Sequence, residues 1–95
     1  MNEEFITTFW QDFTIADMFG VDGIQDTYNR AFAEWKTDYR YLTDLVIVLN
    51  HKCWQHHGKK QAYSELYAKL FYEAKDYAYE NLKDEELDYF FHQTD

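Results

Sequence analysis

The sequence contains no proline, only three glycines and a single cysteine. Proline is barred from helix interiors and common in turns, so a chain without it can run as helix almost throughout. The lone Cys53 excludes an internal disulfide and fits a reducing compartment. Gly20, Gly23 and Gly58 are too scattered to form a phosphate-cradling loop. The longest unbroken aliphatic run is Leu45 to Leu49, far short of the roughly 20 residues that span a bilayer. Positive charge is scarce as well: 9 Lys and Arg stand against 18 Asp and Glu, for a net charge of −9. Such a surface repels nucleic-acid backbones and anionic membranes, because binding to either rests on Lys and Arg meeting phosphates. The opening Met-Asn-Glu-Glu is acidic and lacks the basic start and apolar run of a signal peptide, so the expected location is the cytoplasm.

Aromatic residues, by contrast, make up 21% of the 95 positions. They supply a large apolar payload, enough for one core in a single helical domain over 1–95. The fold class read from the sequence is all-α: a compact four-helix bundle-like domain with a short C-terminal fifth helix. A first helix is expected over about 3–19, with Phe5, Phe9, Asp12, Phe13 and Ala16 on one face. Thr14 with Asp17 resembles a capping box, so this segment reads either as one helix or as two broken near Phe13. Asp22 then reads as an N-cap for a second helix carrying Ile24, Tyr28, Ala31, Phe32, Trp35 and Tyr39 at spacings of three and four. Asp26 and Arg30 are placed to pair on its outer face.

The third helix, about 39–57, carries the stripe Leu42, Leu45, Val46, Leu49 and Cys53. Its run 45–49 is apolar all round, the mark of a helix buried on several sides. Gly58 breaks the chain, and a fourth helix over about 60–82 presents Tyr63, Leu66, Tyr67, Leu70, Phe71, Ala74, Tyr77 and Ala78 as one stripe. Glu65 and Lys69 are oriented to pair on it. Asp84 is a candidate cap for the last helix, whose Leu87, Phe90 and Phe91 can fold back on the core.

The stretch from Thr14 to Asp22 resembles the first helix and turn of a helix-turn-helix DNA reader. Ala16, Gly20 and Val21 fall at the spacing of that family, with Ile15 and Phe19 expected to pack inward. The resemblance covers about nine residues and then fails. Where the family places a branched apolar residue, about six positions after the turn glycine, this chain has Asp26. The helix that would enter the major groove carries Asp22, Asp26 and Glu34 against Arg30 and Lys36, a poor match for a groove that calls for donors and positive charge.

His51, Cys53, His56 and His57 cluster near the end of the third helix, and Cys53, His56 and His57 are the candidate metal ligands the sequence offers. A structural zinc needs four ligands in paired spacings, and no second half exists here. A di-iron bundle needs Glu-x-x-His pairs, and no acid lies three residues before a histidine. Ser64, the only serine, lies inside a helix and not on a strained turn. No catalytic residue, metal site or cofactor is therefore expected. On the fourth helix Ala68, Tyr72, Lys75 and Tyr79 form a second stripe away from the core one. Tyrosine is enriched at interfaces, which makes these four the candidate interface residues.

The stretches Phe9 to Gly20 (FWQDFTIADMFG) and Tyr41 to Asn50 (YLTDLVIVLN) resemble small uncharacterised proteins carried on bacterial conjugative elements. That resemblance implies a bacterial cytoplasm and a mobile-element setting, and brings no activity or site. The function expected is that of a small accessory or regulatory protein acting through a protein partner or self-association, without direct contact to nucleic acid or membrane. The alternatives are an acidic nucleic-acid mimic that occupies the basic groove of a DNA-handling enzyme, and a metal- or small-ligand-binding bundle.

Overall fold

The apolar stripes and the missing proline produce five helices. The computed structural model describes residues 3–94, with side chains from Phe5 to Thr94. Helix α1 spans Glu3–Asp17, α2 Gly20–Trp35, α3 Tyr39–His56, α4 Gln61–Asn81 and α5 Glu85–Thr94. No strand occurs among the described residues, and none of the helices is long and apolar enough to cross a membrane.

Contacts between the ends of the helices fix the topology. Phe5, early in α1, packs on Trp35 at the end of α2 and on Tyr41 at the start of α3, with ring centroids 4.7 and 3.9 Å apart. Ser64, early in α4, donates a 2.9 Å hydrogen bond to the carbonyl of Cys53, late in α3. The first four helices therefore run up, down, up and down, as short connections favour in bundles.

Helix α3 is central and touches all four others. Leu42, Leu45, Val46, Val48 and Leu49 are wholly buried, as the run apolar on every side requires. Asp38 caps α3 by accepting hydrogen bonds from the backbone N–H groups of Arg40 and Tyr41 at 3.1 and 3.4 Å. Helix α4 approaches closely because it offers Ala74 and Ala78 to the core between Leu70 and Leu82.

Three local expectations change. Helix α1 is continuous through Phe13, and Thr14 caps nothing: its hydroxyl bonds back to the carbonyl of Trp10 at 2.8 Å. Helix α2 begins at Gly20, so Asp22 lies inside the first turn, where its charge still suits the helix dipole. Ile15 and Phe19 do not pack inward and are 55% and 73% exposed. Phe13 and Ala16 already occupy the core face of α1, which turns Ile15 out. Met18 and Phe19 form a two-residue joint closed by Gly20 at φ +81°, too short to fold either side chain back.

Candidate protein-docking surface and the polar cluster beside it

The α1–α2 corner leaves a surface groove of about 690 Å³. Its floor is narrow because small residues line it: Ala16 from α1, and Gly23 and Ala31 from α2. A Cβ at Gly23 would stand 2.6 Å from the Cβ of Phe19 and 3.0 Å from the carbonyl of Ala16, so the close approach of the two helices depends on that glycine. The joint throws Met18 (80% exposed) and Phe19 outward, and Ile15 stands beside them on α1. Exposed apolar side chains gathered in this way mark interaction surfaces more often than scattered ones.

Acids flank the same groove. Asp12, Asp22, Asp26 and Glu34 line it together with one cation, Arg30. The expected Asp26–Arg30 ion pair is not formed, nor is Glu65–Lys69; among the described residues, ion pairs form only at Asp17. Solvated pairs of this kind gain little in water and give up side-chain entropy. Among the described residues the groove acids are consequently left without an ion-pair partner.

Asp17, at the end of α1, turns to the inside of the bundle. Its Oδ2 lies 2.5 Å from Lys52 Nζ and accepts from His56 Nε2 at 3.0 Å. Its Oδ1 accepts from the Tyr67 hydroxyl at 2.5 Å, and its backbone carbonyl from the Tyr63 hydroxyl at 3.1 Å. Lys52 is wholly buried. It meets Asp17 as a charge contact and not as an aligned hydrogen bond, and its ammonium lies 4.8 Å from the centroid of the Trp10 ring. Burial pushes the Asp17 carboxyl up, but Lys52, Tyr67 and His56 together outweigh it and hold the group below its ordinary value. Burial, reinforced by the bond to Asp17, pushes the Tyr67 hydroxyl up, so it remains a donor. Each group answers another's charge or hydrogen-bonding need, and the cluster pins α1 to α3 and α4.

Asp44 is the opposite case. It is 1% exposed on α3, and neither carboxylate oxygen has a hydrogen-bond partner among the described residues. Burial raises its pKa to about 6, with Asp38 adding to the rise. Asp17 and Asp44 thus turn into the bundle, one partnered and one without a hydrogen-bond partner among the described residues.

The candidate metal ligands separate. Cys53 Sγ faces Ser64 Oγ at 3.6 Å, His56 faces Asp17, and His57 is exposed against Trp54. No three His, Cys, Asp or Glu side chains converge among the described residues. The interface candidates lie together on the outer side of α4. Tyr72 is 58% exposed, Tyr79 is 43% exposed, and Ala68 and Lys75 are half-buried. Tyr79 packs on Phe90 and Phe91, so it also seats α5. Lys75 Nζ lies 5.4 Å from the Phe71 ring centroid and 5.6 Å from that of Tyr79.

Sequence reasoning passed over Lys52 and Met18. A signal for Lys52 existed: Leu42, Leu45, Leu49, Lys52 and His56 keep an alternating three-and-four spacing, so the lysine sits in the core stripe. Met18 had no comparable signal, because its exposure follows from the shortness of the joint. Comparison with protein families, curated proteins and solved structures finds no match.

Proposed function

We propose that this protein is a small accessory protein that acts by binding another protein, and that the α1–α2 groove is its docking face. The observation that carries the reading is the exposed apolar group Ile15, Met18 and Phe19 beside a groove whose flanking acids form no ion pair among the described residues. Energy at interfaces concentrates in a few apolar or aromatic anchors, while rim charges act mainly on encounter rate. Phe19 and Met18 have the exposure of anchors waiting for a pocket. The α4 stripe is the second candidate surface, but Tyr79 already spends part of its ring on α5. A nucleic-acid mimic would need only the carboxylates to meet a basic groove; the apolar side chains among them favour a partner that also offers an apolar face.

The test compares two variants in a pull-down from the native host, with ultracentrifugation to detect self-association. Ile15→Ser with Phe19→Ser abolishes capture of the specific partner while the melting temperature stays within about 2 °C, because both side chains are exposed. Tyr72→Ala with Tyr79→Ala leaves capture intact. The reverse pattern moves the docking face to α4, and a steep salt dependence with no response to either pair supports the mimic.

A further inference from the structure

Resting on that reading, we infer that the occupant of the α1–α2 groove is a basic amphipathic helix of the partner protein, about three turns long. Size gives the length. The groove is lined along α2 from Asp22 to Trp35, about 20 Å at 1.5 Å per residue, a length within which three turns of an incoming helix, about 16 Å, fit. Backbone chemistry gives the conformation. Both walls are helices whose peptide groups are already bonded within themselves, and the described residues contain no strand edge to extend. An extended peptide would bring unpaired N–H and C=O groups against apolar side chains, whereas a helix arrives with its own satisfied. The small floor residues Ala16, Gly23 and Ala31 leave room for apolar side chains spaced three and four apart on the incoming helix.

Charge gives the sign. The groove lining holds four acids, Asp12, Asp22, Asp26 and Glu34, against one base, Arg30. Asp22 and Asp26 lie one turn apart on α2, and Asp12 faces the groove from α1. Lysines or arginines along the outer edges of the incoming helix would answer these carboxylates and speed its encounter with the groove. A metal ion is a poor alternative, since no three such side chains converge among the described residues.

The probe is a synthetic 14-residue helix with leucine and alanine on one face and lysine on the other, labelled for fluorescence anisotropy. Two controls accompany it: the same composition shuffled to destroy the apolar face, and the same helix with glutamate for lysine. The amphipathic basic peptide binds the full chain in the micromolar range and weakens as salt rises; neither control binds. Asp22→Asn with Asp26→Asn weakens it at least tenfold, and so does Ile15→Ser with Phe19→Ser. Glu85→Gln with Glu86→Gln, which removes the same charge from α5, leaves it within twofold. Equal binding of the shuffled peptide, or an equal loss with the α5 variant, overturns the inference by reducing it to bulk charge. Failure of the inference is distinct from failure of the docking reading. Partner capture that needs Ile15 and Phe19 but ignores Asp22 and Asp26 keeps the groove and removes the basic helix; capture indifferent to all four removes both.

Discussion

Phe5, Trp35 and Tyr41 close one end of the bundle, and Asp17, Lys52, His56 and Tyr67 close the other. At the aromatic end Phe5 meets Phe9, Trp35 and Tyr41 with centroids no more than 4.7 Å apart, and Trp35 meets Tyr41 at 4.5 Å. Such packing needs bulk and tolerates many arrangements. At the ionic end a wholly buried ammonium faces one carboxylate, and that carboxylate is tied by two further donors. Its parts depend on one another, because removing one charge strands the next. Asp44, one turn into α3 from Tyr41, shows what an unanswered carboxylate does in the same protein: its pKa rises to about 6, while that of Asp17 falls. Partnering, and not burial alone, sets the direction.

The largest effect should come from breaking the ionic end. Lys52→Met leaves Asp17 without its counter-charge and costs about 3–5 kcal/mol, read from urea melts at neutral pH. Adding Asp17→Asn to Lys52→Met recovers much of that loss, since both charges are then gone. A cost below about 0.5 kcal/mol for Lys52→Met would place the ammonium in water, where substitutions have small effects.

Asp44 provides the next test. Its folded pKa is raised from 3.8 to about 6, so the protonated form favours the fold. Stability is therefore fully held below about pH 4 and lost as pH rises through about 6, by about 3 kcal/mol at most. Asp17 has the opposite sign: its contribution is present above the ordinary carboxylate value and lost as pH falls below it. Melts across pH 3–8 should show Asp44→Asn flattening the arm between pH 4 and 6 and Asp17→Asn flattening the acid arm. An unchanged upper arm in Asp44→Asn would mean that the carboxylate is solvated or paired.

At the aromatic end Phe5→Ala should cost about 2 kcal/mol, less than a fully buried phenylalanine because its ring is half-buried. The loss should be the same at 50 mM and 500 mM salt and across pH 3–8, whereas a change at Asp17 alters the acid arm. The smallest effect belongs to His56→Ala, about 1 kcal/mol, because Lys52 and Tyr67 still hold Asp17 when that hydrogen bond is gone. A loss as large as that of Lys52→Met would make His56 the principal partner.

The aromatic end was partly legible in the sequence. Phe5 and Trp35 sit in amphipathic stripes, and a stripe states which face is buried without naming what it meets. The ionic end was legible only in pieces. His56 stood out as a candidate ligand, Tyr67 as core, and Asp17 as part of a capping box; Lys52 was overlooked although it keeps the spacing of Leu42, Leu45 and Leu49. The groove shows the same limit. Asp22, Asp26 and Glu34 were noted for their charge, but Ile15 and Phe19 were expected inside, because a local pattern does not reveal that a two-residue joint leaves them no core to reach.

The sequence by itself determined the helices, their order and the central place of α3, because periodicity and the missing proline act over one or a few turns. Tertiary structure alone decided which polar groups are buried together. Asp17 and Lys52 are 35 positions apart and Asp17 and Tyr67 are 50 apart. Whether a carboxylate between helices finds a partner, as Asp17 does, or finds no hydrogen-bond partner among the described residues, as at Asp44, depends on how three helices are set against one another. The groove was decided in the same way: its walls are written in α1 and α2, but its opening exists only because Gly23 lets one cross close to the other and the short joint leaves Met18 and Phe19 outside.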